Sequence, residues 1–182
     1  MLGNAIRAKI QRIRNLPNTV LAPASAEPPA SLPTAVSDPG QTPEEPLLAR
    51  LLTYWEMVRG DNAIAFRNAI DPIDLRFVLP KLLLVETADS LANYKIRLFG
   101  SALVNEFGED RTGKRFADLN HIENFHAIHE GFARVRHTAQ PEYFRNRHVS
   151  INHGHRGYSR LLVPLTLGGD TVDIILGGYD FS

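Results

Sequence analysis

At 182 residues the chain has room for one ordinary domain and an appendage, and two full domains would be a squeeze. Lys plus Arg and Asp plus Glu are each 20, so the formal charge is zero and the cationic excess that whole-chain nucleic-acid binding needs is missing. Without cysteine there are no disulfides, thiolate metal sites or cysteine nucleophiles, and no run approaches the roughly 20 apolar residues of a membrane-spanning helix.

The first 16 residues place Leu2, Ile6, Ile10 and Ile13 at helical spacing, with Asn4, Arg7, Gln11 and Arg14 recurring opposite. Lys9 and Arg12 bring the cations to four, and no acidic residue precedes Pro17. The pattern predicts a basic amphipathic helix over 1–16. Through Leu2, Ile6, Arg7, Ile10, Arg12, Ile13 and Arg14 it would rest on an anionic membrane surface or dock into a partner's groove. The alternative is a segment that frays, since an isolated helix of this length barely holds in water. The start lacks the continuous apolar core and cleavage site of a secretory signal, so the expected location is the cytoplasm, with a peripheral inner-membrane contact open through residues 1–16.

Residues 17–46 hold eight of the twelve prolines. Proline removes backbone donors and keeps its predecessor extended, so this stretch reads as a disordered or semi-extended linker, unable to build a helix or a central strand. A compact domain is expected over 47–182. Leu48, Leu51, Leu52, Trp55 and Val58 recur at helical spacing, and Arg59-Gly60 ends that helix. Asp71-Pro72-Ile73-Asp74 suggests a second short helix, capped by Asp71 and ended by Pro80.

Residues 81–86 and 94–99 read as two antiparallel strands across a polar turn, the second with Tyr94, Ile96 and Leu98 on one face and Lys95 and Arg97 on the other. A brief helix follows over 101–107, closed by Gly108. A longer one spans 121–137, with Phe125, Ile128, Phe132 and Val135 on its apolar stripe. Residues 142–150, 157–167 and 171–181 complete the domain as three strands. The order implies an α+β domain with helices over one face of an antiparallel sheet.

Two strands, a helical excursion and three strands is the layout of the PAS fold. Tyr54-Trp55 with Arg59-Gly60, Asp71-Pro72-Ile73-Asp74 and Leu79-Pro80 resemble the opening of a compact bacterial single-PAS-domain family. Arg97-Leu98-Phe99-Gly100, Gly108, Thr112-Gly113, 160–165 and Gly177-Gly178 are similar to its later signatures. The resemblance covers about 47–182. It implies a five-stranded antiparallel sheet with helices enclosing a pocket, and a sensory or regulatory role in signalling. It carries no family-wide cofactor and no catalytic residues to transfer. The proline-rich extension and the His153-Gly154-His155-Arg156-Gly157 turn depart from the pattern.

Seven histidines invite a haem or metal hypothesis. His126 and His129 lie three apart on the long helix, but each falls at the edge of the apolar stripe, which reads as a surface position. Two imidazoles are also fewer than a zinc site takes. His153 and His155 read as solvated turn residues. No Gly-x-Ser-x-Gly elbow, His-Glu-x-x-His or phosphate-binding loop is present, so the domain is expected to be non-catalytic. Arg145, Arg147 and Arg160 alternate on candidate strands. They either keep a solvent face soluble or grip an anion, and Arg160, if turned inward, would be the best polar anchor of a pocket.

The expected function is a non-catalytic module that binds a small apolar or amphiphilic ligand between sheet and helices, or presents the outer sheet face to a protein. Tyr94, Ile96, Phe125, Ile128, Phe132, Arg160 and Ile174 are the expected lining, and the alternative is that they close-pack with no cavity. Output would pass to a separate protein or through a homodimer built on the 48–58 helix. No nucleic-acid partner is expected, and the cofactor, if any, is unspecified.

Overall fold

The computed structural model describes residues 36–37, 42–119, 125–150 and 154–181. The amphipathic segment 1–16, most of the proline-rich stretch and His153 lie outside the described residues. Among those described, no helix is long and apolar enough to cross a membrane.

Helix α1, Pro46–Arg59, begins on a proline whose missing donor costs nothing there, and ends where Gly60 takes φ 55° and its N–H reaches Glu56 O at 3.0 Å. Leu48, Leu51, Tyr54 and Trp55 form its buried side. Residues 71–78 form successive turns in place of the expected helix. Asp71 Oδ1 does accept from Ile73 N–H at 2.8 Å, but the following backbone bonds join residues three apart, such as Val78 N–H to Leu75 O at 2.9 Å. That tighter pitch sets Leu75 and Val78, also three apart, into the same core. Short 3-10 turns cover Arg67–Ala69, Leu79–Lys81, Leu91–Asn93 and Phe116–Leu119. The remaining helices are α2, Ser101–Phe107, and α3, Phe125–Thr138.

The five expected strands are present as β3 (Leu82–Glu86), β4 (Lys95–Phe99), β5 (Glu142–Ser150), β6 (Gly154–Thr166) and β7 (Ile174–Phe181). Two short strands, β1 (Val36–Ser37) and β2 (Ala65–Phe66), bring the sheet to seven. Its order is β1-β5-β6-β7-β3-β4 with antiparallel neighbours, while β2 pairs in parallel with Leu165 and Thr166, beyond the reach of β5. The stretch expected as a linker thus supplies an edge strand, the one sheet position that proline-rich sequence tolerates.

The register of β3 with β4 shifts between Leu84 and Val85, which face Leu98 and Ile96, so Arg97 is the extra residue of a bulge. This corrects the expected alternation. Tyr94 and Ile96 point inward as anticipated, but Leu98 is turned out to 38% exposure and Phe99 is buried in its stead. Beyond β4 the segment 113–116 takes up its outer backbone groups: Ile96 N–H donates to Lys114 O at 3.0 Å, and Gly113 N–H to Ile96 O at 2.8 Å.

Both sheet faces are covered, not one. The inner face carries Leu83, Val85, Ile96, Phe144, Tyr158, Leu162, Ile175 and Tyr179 against Leu103, Phe116, Phe132 and Val135. The outer face carries Leu82, Tyr143, Leu161, Val163, Leu165, Ile174 and Leu176 against α1, Ile70, Leu75 and Val78. The face expected to be open to a protein partner is therefore taken by α1 and the turns that follow it, and the apolar side of α1 is spent on its own sheet. Trp55 Nε1 fastens the helix by donating to Pro164 O at 2.9 Å.

Two glycines permit these close approaches. A Cβ on Gly100, between β4 and α2, would sit against the carbonyl of Pro80, and one on Gly178 would meet the methyls of Leu51 and Leu48. Gly178→Ala is expected to cost about 1–3 kcal/mol, the usual range for overpacking. Gly100→Ala should cost more, because backbone cannot yield as a leucine methyl can. Urea unfolding of both variants checks the ranking.

Candidate functional site

Strand β6 sends Tyr158, Arg160 and Leu162 to the inner face, and Ser159, Leu161 and Val163 to the outer one. Arg160 is thereby carried into the interior and is 0% exposed. Its register partner on β5 is Phe144. The Phe144 ring lies 4.8 Å from the guanidinium carbon and that of Phe132, from α3, at 5.2 Å. Such contacts place the cation against electron-rich ring faces and are worth about 2 kcal/mol each when desolvated.

Helix α3 closes over this point. A Cβ on Gly131 would come within 2.5 Å of Glu142 Oε1 and 2.8 Å of Arg160 Nη2, so a side chain here would displace one or both of these groups. Glu142 is itself buried and gripped by both prongs of Arg134, with Nε to Oε2 at 2.8 Å and Nη2 to Oε1 at 2.9 Å. These bonds hold the Arg134 guanidinium above its ordinary pKa, against the opposing pull of burial. No partner for Arg160 Nε, Nη1 or Nη2 occurs among the described residues. Burial pushes the neighbouring Tyr158 phenol up, with the Arg160 charge pulling the other way.

Of the expected lining, Phe132 touches this cation, and Tyr94 and Ile96 belong to the same inner core. Phe132 stacks edge-on to Phe116 at 5.1 Å, and Phe116 meets Tyr94 at 5.6 Å. Ile96 belongs to the same core and Ile128 packs on its rim. Phe125 and His126 stand in α3 with side chains outside those described. Ile174 is elsewhere: neighbours on a strand alternate, and it joins α1 on the outer face while Ile175 points inward.

His129 is not a surface residue as expected. It lies four after Phe125 and three before Phe132, hence on the same helix face, is 7% exposed, and stacks flat on Phe116 at 4.5 Å and 2°. Among the described residues no three His, Asp or Glu side chains converge as a metal site. Phe116, Gly131, Glu142 and Phe144 were not anticipated. The aromatic character of Phe116 and Phe144 was visible, but their position depends on strand register.

The outer side of the same two strands bears a polar clamp. Glu45, just ahead of α1, accepts from Ser159 Oγ at 2.6 Å, Tyr143 OH at 2.7 Å and Arg145 Nη2 at 3.3 Å. Arg145 also donates to Glu44 at 2.6 Å and to Tyr143 OH at 2.7 Å. The expected arginine row is thus divided, with Arg145 outside, Arg160 inside and the Arg147 side chain beyond those described. Burial raises the Glu45 carboxyl, but hydrogen bonds from Ser159, Tyr143 and Arg145 outweigh it and leave the pKa below its ordinary value. Arg160 and the clamp are back to back: Phe144 faces Arg160, and the next pair along the ladder is Arg145 with Ser159.

A sheet wrapped by helices on its inner face, with a buried polar group beneath the longest of them, defines a module of the PAS class, used in sensing and regulation. The profile of the PAS domain family matches residues 44–180, and the chain belongs to that family. Among solved structures the chain is similar to an RNA-binding light-oxygen-voltage receptor, at 14% identity and a TM-score of 0.41 over 84% of this chain. It spans 39% of the length of that receptor chain. A search of curated proteins finds no match.

Because the folded Glu45 pKa is depressed, its contribution to stability is present above the unfolded carboxyl's pKa and is lost as pH falls through the lower folded value. Glu45→Gln should therefore lower the melting temperature at neutral pH, with the gap to wild type closing as the pH falls past that folded value. Thermal melts in a pH series check this, and a gap that stays constant would contradict the assignment.

Proposed function

We propose that the chain is a non-catalytic PAS module of bacterial signalling, one that binds a small ligand beneath α3 and passes occupancy to the segment entering α1 for a separate protein to read. The observation that carries this reading is the back-to-back placement of Arg160 and the Glu45 clamp on β5 and β6. A ligand that settles against Phe132, Phe144 and Arg160 shifts strands whose outer side chains hold Glu44 and Glu45. It biases the clamp only as far as it binds one arrangement better than the other. The clamp suits this work because it consists of hydrogen bonds at a partly exposed rim, which open at far lower cost than the apolar core beside them.

The test is native mass spectrometry of the full chain purified without denaturation, followed by hydrogen exchange of the loaded and stripped forms. A dissociable small-molecule adduct is expected, with amide exchange around 44–49 slowed in the loaded form. A bare chain, or identical exchange in both forms, would sink the reading. Absorption of the same sample decides the haem alternative, since a Soret band that vanished in His129→Ala would replace the present reading with a haem sensor.

A second reading, recruitment of the module to a membrane, rests on the cationic apolar pattern of residues 1–16. Electrostatic attraction near an anionic surface is worth about 1 kcal/mol per cation. Reversing Arg7, Arg12 and Arg14 to Glu in the full chain should abolish co-sedimentation with phosphatidylglycerol vesicles. Equal sedimentation of both forms would remove this reading.

A further inference from the structure

Arg160 is the largest of the fully buried side chains. Its three nitrogens lie below the surface with no hydrogen-bond partner among the described residues. A neighbouring carboxylate, Glu142, is already held at both oxygens by Arg134, and the Glu45 carboxylate belongs to the opposite face of the sheet. The rings of Phe132 and Phe144 offset part of the charge but accept none of its N–H groups in a directed bond. Among the described residues the core thus holds a forked donor without an acceptor, at a cost their side chains do not recover. A Cβ on Gly131 would come within 2.8 Å of Nη2, so α3 passes directly over the fork.

We propose that Arg160 anchors the carboxylate of a small amphiphilic monocarboxylic acid whose apolar body lies along Phe132, Phe144 and Tyr158. The assignment rests on the ligand-binding reading above and narrows it. A guanidinium fork matches a carboxylate in plane and spacing, with two parallel N–H···O bonds. One cation with no hydrogen-bond partner among the described residues suits a ligand with one negative charge. A phosphate would bring more charge and a tighter hydration shell into a site whose other cation, Arg134, is spent on Glu142, and where the Glu142 carboxylate itself repels a second negative charge. A neutral apolar ligand would leave the fork as unsatisfied as before.

Calorimetry on the full chain with octanoate, octanamide and inorganic phosphate tests the assignment. Octanoate should bind about tenfold or more tighter than octanamide, as expected when a buried charged group loses its partner, and phosphate should not bind. Arg160→Met should erase the preference for the acid and raise the melting temperature of the ligand-free protein, because it removes a buried charge that has no hydrogen-bond partner among the described residues. Arg160→Lys keeps the charge without the fork and should fall between.

Equal affinity for octanoate and octanamide overturns the carboxylate anchor while the ligand-binding reading stands. So does phosphate binding more tightly than octanoate. A ligand-free Arg160→Met that melts below wild type makes the arginine a structural cation and overturns it as well. If none of the three probes binds, the native mass spectrum decides. A retained acid that is absent from Arg160→Met supports the anchor, a retained neutral molecule overturns it alone, and a bare chain takes down both readings.

Discussion

Strand β6 is buried on both faces and paired along both edges, so the pleat of its backbone dictates what each core receives. Every inward residue has an outward neighbour one position away, and a slip of one position would exchange Arg160 with Leu161 and empty both cores at once. The rest of the domain is arranged to that register. Helix α1 takes Leu161 and Val163 on the outside, with its indole fixed to the carbonyl of Pro164, and α3 takes Arg160 and Leu162 on the inside. The clamp on Glu45 exists because Ser159 falls between Tyr158 and Arg160.

The glycines are the complement of this arrangement. Gly131 lets α3 come down to Glu142 and Arg160, and on β7 Gly177 and Gly178 face opposite layers, the first meeting Leu162 and Leu83 and the second Leu51 and Leu48. At Gly131 and Gly178 the helices approach the sheet where a side chain is missing. A larger residue at Gly131 presses α3 against Glu142 and Arg160, and one at Gly178 presses on Leu51 and Leu48 of α1, whereas at Gly177 it crowds neighbouring strands.

What the sequence disclosed was local. Apolar spacing located α1, α2 and α3, alternation located the five long strands, and their order was enough for the PAS resemblance that the family match bears out. Parity and register were not legible. In β7 both faces are apolar, so Ile174 and Ile175 could not be told apart until α1 was seen to cover the outer one. The bulge at Arg97, which turned Leu98 outward, leaves no mark in a pattern of alternating residues. Phe144 and Glu142 belong to the site only because β5 pairs with β6 in one register, and Arg145 leaves it for the same reason. Arg160 was readable as a residue with two destinations, and only burial selected between them.

The capped edge of β4 has a bearing on how such a module meets other proteins. Strand addition is the cheapest way for one chain to recognise another through a sheet, because the backbone supplies the bonds without regard to sequence. Here that opening is narrowed: residues 113–116 take up the outer backbone groups of Ile96 and the carbonyl of Tyr94, and the Arg97 bulge interrupts the regular edge beyond. Recognition on that side is left to side chains, which can discriminate.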